Sequence, residues 1–307
     1  MNTGARQRQG FALGVLAYLI WGAFPLYWPL LRPAGAVEIL AHRVVWSLLT
    51  MALVVSLTGR LSHLKALIAD RRSRVLLAVA AVTIAINWGT HIYGVNSHRV
   101  VETSLGYFIN PLVTVLMGVI LLGERLRSLQ WFALGVGAIA VLGIAIEYGR
   151  PPWIALILAF SFGSYGLLKK QADVDAVESL TYETIVLAPI AVGYLTWLGI
   201  AGEGHFSNEG LGHAALMMTA GAVTAVPLLC FGAAAIRVPM TTIGLLQYLT
   251  PILQFLLGVF ALHEHMTTMR WLGFGLVWVA LAIFTVDAWR SRTRVAEPSF
   301  DAEPSRL

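Results

Sequence analysis

Charge is what this chain lacks most. Asp, Glu, Lys and Arg together make up 12% of its 307 residues, about half of what a soluble domain carries. So few charges cannot clothe a solvated surface of this size, which excludes an ordinary water-soluble enzyme. Cysteine is nearly absent too: Cys230 stands alone inside an apolar run, so no internal disulfide can form. No phosphate loop, nucleophile elbow or paired-cysteine motif occurs. His263-Glu264-His265 has Thr267 where a zinc-binding helix needs its second histidine, so no metal and no cofactor are expected. The net charge of +5 is spread over short loops and the C-terminal tail. It makes no concentrated basic face for nucleic acid.

What the chain does have is hydrophobic length. Ten apolar runs span residues 11–31, 37–58, 75–95, 103–122, 130–147, 152–168, 178–200, 213–236, 242–262 and 271–289. Crossing a hydrocarbon core of ~30 Å takes about 20 apolar residues, so the expected fold is an all-α polytopic membrane protein of ten transmembrane helices. The first run has Arg6 and Arg8 before it and Ala34-Gly35-Ala36 after it, the outline of a secretory signal. It exceeds a signal core of about 7–15 residues and carries Trp21, Pro25, Trp28 and Pro29, which suits a retained helix. Lys and Arg alternate between loops with a strong bias. One side holds sixteen, including Arg60, Lys65, Arg71, Arg72 and Arg74, and the other only Arg32, Arg99, Arg150 and Arg270. The positive side faces the cytoplasm, which puts both termini there. The tail 291–307 is polar, contains Pro298 and Pro304, and is expected to be disordered.

The chain also repeats itself. An offset of 140 maps Pro111 onto Pro251, Gly118 onto Gly258, Glu124 onto Glu264, Trp131 onto Trp271 and Gly135 onto Gly275. Glu38 and Arg43 fall opposite Glu178 and Glu183 at the same offset. The domains are then 1–148 and 149–290, each with five spans. An odd number of spans makes the second copy enter from the opposite face, giving an inverted repeat with a substrate site near the midplane.

Intramembrane polar groups carry the functional expectation. Arg43 lies about six residues into span 2, and an arginine at a membrane centre costs roughly 2.5–3.5 kcal/mol on insertion scales, so it faces a bundle interior or snorkels. Glu183 lies equally deep in span 7, but from the opposite face. Each is ~9 Å inside, leaving ~12 Å between them in depth, so no direct pairing is expected. Asn87, Trp88 and His91 share a face of span 3, and Tyr107, Asn110 and Thr114 a face of span 4. Gln247 and Gln254 stripe span 9. Pro25, Pro111 and Pro251 are expected hinges, with Pro111 interrupting its helix. Polar groups of the first copy sit in the outer half and those of the second from the inner half to the middle, as two vestibules would place them. Glu124 and Glu264 each end one helix before the next begins, where a carboxylate caps the following N-terminus. Gly135, Gly137, Gly143, Gly273 and Gly275 permit close helix contacts, either internal or in a homodimer.

These residues resemble a family. Two five-span copies, each with a proline in its fourth span and a Gly123-Glu124-Arg125-Leu126-like end, resemble the EamA repeats of the drug/metabolite transporter superfamily. Ala17-Tyr18-Leu19-Ile20-Trp21-Gly22, Glu38-Ile39-Leu40-Ala41-His42-Arg43, Asn87-Trp88, Glu102 to Pro111, and Gln247-Tyr248 are similar to its RarD branch. The second copy departs from the signature, with His263 and His265 in place of Gly and Arg. The resemblance implies a bacterial cytoplasmic-membrane permease, with exporters of small metabolites or drugs among its relatives.

The resulting expectation is a secondary transporter in the lipid bilayer, taking a small-molecule substrate by alternating access. Its site would be lined by Trp21, Arg43, Asn87, His91, Tyr107, Asn110, Gln247 and Gln254. Arg43 would attract a carboxylate or other acceptor-rich group, with Glu183 or His91 coupling transport to protons. The alternatives are a membrane-embedded enzyme using His42, His91 and Glu183, or a non-transporting receptor or assembly protein.

Overall fold

A computed structural model describes residues 3–122, 125–235, 237–238 and 246–295. Glu124, the first residues of span 9 and the tail from 296 onward lie outside the described residues. In chain order the helices are α1 (Thr3–Gly22), α2 (Phe24–Tyr27, continued by a 3-10 turn over Trp28–Leu31), α3 (Ala36–Thr58), α4 (Leu61–Ala69), α5 (Arg71–Asn96), α6 (Val100–Leu122), α7 (Ser128–Tyr148), α8 (Trp153–Ala172), α9 (Ala176–Ala201), α10 (Leu211–Ala235), α11 (Leu249–Leu256, continued by a π turn over Leu257–Ala261) and α12 (Thr268–Val295). Helix is what these sequences must form, because backbone in hydrocarbon has to satisfy its own hydrogen bonds. Among the described residues, seven are long and apolar enough to cross a membrane: α3, α5, α6, α7, α9, α10 and α12. An eighth arises if α1 and α2, bent by 42°, count as one span. α8 and α11 are shorter apolar helices. This is an all-helical multi-pass membrane protein.

Three expectations need correction. Pro111 does not interrupt its helix, since α6 runs through it unbroken. One missing backbone bond is tolerated where the rest of the helix is held. Pro251 instead lies in the first turn of α11, where a missing N–H leaves no intrahelical bond unmade. Pro25, by contrast, opens α2 just past the 42° bend after Gly22, at the place expected for a hinge. The segment between α3 and α5 is not all loop. Leu64 and Leu67 of α4 are buried with Val55, Leu77 and Ala172, a nine-residue amphipathic helix too short to register as a span. Asp70 then caps α5, accepting from the amides of Arg72 and Ser73 at 3.4 and 2.9 Å. The Ser73 bonds hold its carboxyl below the usual carboxylate range. Finally, the tail is not disordered from residue 291, because α12 continues to Val295; no proline or glycine stops it before Pro298.

The chain divides into two compact units. In the first, residues 1–114 and 153–266, α3 packs against α9 and α10, α1 against α10 and α11, and α5 against α8 and α9. In the second, residues 115–152 and 267–307, α7 packs against α12. There Gly273 meets Ile144, an internal contact, whereas Gly135, Gly143 and Gly275 face open space.

α3 and α9 run antiparallel, tied at both ends by reciprocal carboxylates. Each helix ends on a glycine in the left-handed conformation, Gly59 (φ 67°) and Gly202 (φ 72°), which turns the chain back across its neighbour. After Gly59, Arg60 reaches Glu178 in the first turn of α9 at 3.0 Å and Asp175 at 3.2 Å. Those hydrogen bonds raise the pKa of Arg60 further above its ordinary value. After Gly202, His205 gives its backbone N–H and engages Nδ1 with Glu38 in the first turn of α3, at 2.7 and 2.8 Å.

Glu264 caps a helix, but not the expected one. Its carboxylate accepts from the amides of Val100 and, at 2.8 Å, Val101 at the start of α6. α12 is served by Thr267, whose hydroxyl accepts from the Arg270 amide at 3.2 Å. Glu264→Ala strips two amides of their acceptor at a buried helix start. It is expected to lower stability by about 1–2 kcal/mol, read as a lower melting temperature in detergent. An unchanged melting curve would remove the capping role.

Candidate functional site

The site is built in the first unit around Arg43. The side chain is 3% exposed and its Nε donates to Thr224 Oγ1 of α10 at 2.9 Å. The bend between α1 and α2 brings Phe24 and Trp28 over the guanidinium, and α5 supplies Trp88. The three ring centroids lie 5.5, 5.0 and 4.0 Å from Cζ. Cation–π contacts stabilise a desolvated guanidinium by up to about 2 kcal/mol each, against several kcal/mol for removing the ion from water. The cage therefore offsets part of the burial, and no carboxylate among the described residues completes it: within them Arg43 has one hydrogen bond and no ion-pair partner.

A polar group surrounds this cage. His91 of α5 is 3% exposed, its ring 6.4 Å from Phe24 and 5.8 Å from Tyr107. Both His91 and Tyr107 are within electrostatic reach of Arg43, and the Gln254 amide lies against His91. Gln254 is 1% exposed and donates Nε2 to the Trp21 carbonyl at 3.2 Å. That bond fixes the amide orientation and leaves Oε1 buried without a partner. His91 Nε2 and Asn110 Oδ1 are likewise buried and unpartnered. Asn87 is more firmly held. Its Nδ2 donates to the Leu158 carbonyl and to Ser161 Oγ, both at 3.0 Å, and its Oδ1 accepts from Tyr107 at 3.3 Å. Trp21 is half-buried between Tyr18 and Phe231, at 5.3 and 5.8 Å.

Of the expected lining residues, Trp21, Arg43, Asn87, His91, Tyr107 and Gln254 gather here, and Asn110 presents a buried oxygen from the same face of α6 as Tyr107. Gln247 does not join them. It is exposed in the turn before α11, because the regular helix that would place it on one face with Gln254 starts only at Leu249. Glu183 is separate as well. Its carboxylate accepts from Tyr165 (3.1 Å), Lys169 (3.0 Å) and Ser179 (2.8 Å), so it and Arg43 do not pair, in keeping with their different depths. None of His42, His91 and Glu183 bonds to another of the three; the His42 ring stacks on Phe206 at 4.7 Å. The enzyme alternative needed those groups together. Arg43 and His91 of the first half of the chain meet Thr224 and Gln254 of the second.

Several residues that packing brings into these contacts carry little signal in the sequence. Thr224 is one threonine in an apolar run, and only the packing of α10 on α3 aims it at Arg43. Phe24 becomes a cage wall through the bend after Gly22. Lys169 is legible only as a loop charge, although it reaches a buried carboxylate.

The sequence profile of the EamA-like transporter family matches the chain twice, over residues 8–146 and 151–286. Protein RarD of Streptomyces exfoliatus is 52% identical over 100% of this chain and 99% of its own length. Protein RarD of Escherichia coli is 42% identical over 94% of this chain and 98% of its own. A protein of known crystal structure superposes with a TM-score of 0.57, covering 90% of this chain and 97% of its own at 17% identity, a likeness of fold alone. A multi-pass helical protein with such relatives is a membrane transporter. The chain belongs to the EamA-like transporter family, and within it to the RarD branch.

Proposed function

We propose that this protein is a secondary transporter of the bacterial cytoplasmic membrane that exports small amphipathic metabolites or drugs by alternating access. The observation that carries the reading is Arg43, a buried cation caged by aromatic rings, without an acid partner, where helices of both copies meet. In this reading the chain has ten spans in two inverted copies, 1–148 and 149–290, with both termini cytoplasmic. The antiparallel course of α3 and α9, which the 140-residue offset makes equivalent, supports the inversion. The Arg60 end of α3, beside Lys65 and Arg71, is then the cytoplasmic end. Proton coupling is assigned to His91 rather than Glu183. Glu183 is committed to three donors, whereas His91 Nε2 is without a hydrogen-bond partner among the described residues. His91 takes its proton together with an anionic substrate, whose charge offsets that of Arg43.

Untargeted metabolite profiling of a deletion strain against an overexpressing one supplies the candidates, and counterflow in proteoliposomes tests them. The expected result is saturable flux of at least one candidate, driven by a proton gradient in the wild type and insensitive to it in His91→Gln. Absence of flux for every metabolite whose pool responds to the gene would sink the transporter reading. Flux that ignores the gradient in both proteins would remove only the coupling.

A further inference from the structure

The Arg43 group makes a chemical demand that narrows the choice of ligand, provided that the transporter reading of this site holds. Four atoms define the demand. Arg43 Nη1 and Nη2 have no hydrogen-bond or ion-pair partner among the described residues. A forked pair of donors on a lone buried cation suits one planar carboxylate, which it can hold through two parallel bonds. A phosphate dianion would ask for more than one cation. The other two atoms are acceptors. Gln254 Oε1 is buried and unpartnered, its orientation fixed by the Trp21 carbonyl. His91 Nε2 is buried too; the Gln254 amide lies against this ring, but no bond of hydrogen-bond geometry joins the two, and in one neutral tautomer Nε2 accepts. Acceptors left in a desolvated site select a ligand that brings a donor.

The surroundings decide the charge of that donor. No carboxylate pairs with Arg43, His91 or Gln254 among the described residues. An ammonium there would sit beside a guanidinium with no anion of the protein to balance it. A hydroxyl or amide N–H meets the same acceptors without that repulsion. Phe24 and Trp28 are buried against the guanidinium, so half-buried Trp88 and Trp21 are the rings left to meet an apolar body.

We propose that the ligand of this site is an organic monocarboxylate carrying a neutral hydrogen-bond donor close to the carboxylate and an apolar body, rather than a zwitterion or a neutral amphipath. The carboxylate bridges Arg43 Nη1 and Nη2, and the donor engages Gln254 or His91. Binding completes the buried cation, so occupied and empty states differ in their electrostatic balance, which is what a substrate needs in order to bias two conformations.

The test holds the apolar body constant and changes the polar end. Purified full-length protein is titrated with 3-phenyllactate, its methyl ester, 3-phenylpropionate and phenylalanine, following thermal stabilisation and intrinsic tryptophan fluorescence. 3-Phenyllactate is expected to bind about 10- to 100-fold more tightly than the ester, which lacks the charge, and more tightly than 3-phenylpropionate, which lacks the donor. Phenylalanine is expected to be weaker than 3-phenyllactate. Gln254→Leu should erase the preference for 3-phenyllactate over 3-phenylpropionate, and Arg43→Lys should weaken both acids while leaving the ester unchanged. The wild-type comparison needs no variant, so a misfolded variant does not blunt it. No binding of 3-phenyllactate at millimolar concentration, equal binding of acid and ester, or tighter binding of phenylalanine overturns the proposal. Flux of neutral compounds that persists in Arg43→Lys would overturn it while leaving the transporter reading intact. Arg43-dependent binding of the acid with no flux in proteoliposomes would do the reverse.

Discussion

Arg43→Met is expected to make the protein harder to unfold and unable to carry its substrate. The wild-type guanidinium is buried at 3% exposure, with one hydrogen bond and no counter-charge. Replacing buried charges by well-packed apolar groups is often neutral or stabilising by about 1–4 kcal/mol, and the gain should be fuller where the charge was never paired. Methionine keeps an unbranched side chain and packs well against aromatic rings, here Phe24, Trp28 and Trp88. Thr224 is not orphaned by the change, because its hydroxyl still donates to the Ala220 carbonyl at 2.8 Å. Transport, by contrast, loses the one cation of the site, and a drop of about 100-fold or more is expected. The two readouts are the melting temperature in detergent without substrate and counterflow in proteoliposomes. A lower melting temperature with flux retained would make Arg43 a structural residue. Stability and activity moving in opposite directions is what a functional site held against its own folding preference produces.

Gly221→Ala is expected to damage both folding and transport. A Cβ at this position on α10 runs into the backbone carbonyl of Trp46 on α3 and comes within 2.7 Å of Thr50 Oγ1. Thr50 cannot swing clear without giving up its 2.8 Å bond to that same carbonyl. Neither obstacle is the loose end of a flexible chain, so the two helices must separate. Overpacking of this kind costs about 1–3 kcal/mol or more. The separation also reaches the site, because Thr224 lies one turn along α10 from Gly221 and its bond to Arg43 stretches with it. Gly135→Ala is the matched control, since nothing lies within 4 Å of the added carbon and alanine favours helix by up to about 1 kcal/mol. The first variant should lower the melting temperature by several degrees and the second leave it level or higher. Equal behaviour of the two would mean that α3 and α10 do not approach closely in the membrane.

The residues whose roles are legible in the sequence are those for which the membrane itself sets the rule. Arg43 stands out by its depth alone, because a charge in hydrocarbon is too costly to be incidental. The absence of an Arg43–Glu183 pair is also expected from the depths assigned to spans 2 and 7, with no knowledge of neighbours. Roles that depend on which helix lies beside which are not readable. Glu264 looks like the cap of the helix it precedes, and its carboxylate instead holds the start of α6, more than 160 positions away in the chain. Gln247 shares a sequence stripe with Gln254, yet the stripe holds only where the helix is regular. The cage around Arg43 needs a bend after Gly22, the rotation of α5 and the placement of α10, and none of these leaves a pattern of its own in the sequence.

By itself, then, the sequence determined the solvent, the class and the duplication. Its apolar runs, scarcity of charge and 140-residue offset left a multi-pass helical membrane protein as the one consistent reading. Bilayer thickness and backbone hydrogen bonding act on each segment separately, so each run can be read without the others. Only the tertiary structure decided that Arg43 would face three aromatic rings and a threonine instead of an acid. Pairing is a property of neighbouring helices, set by close approaches such as that of Gly221 to Trp46, and apolar faces of similar composition permit many such arrangements. The buried cation is visible in the sequence; that it lacks an anion of its own among the described residues is a fact of packing.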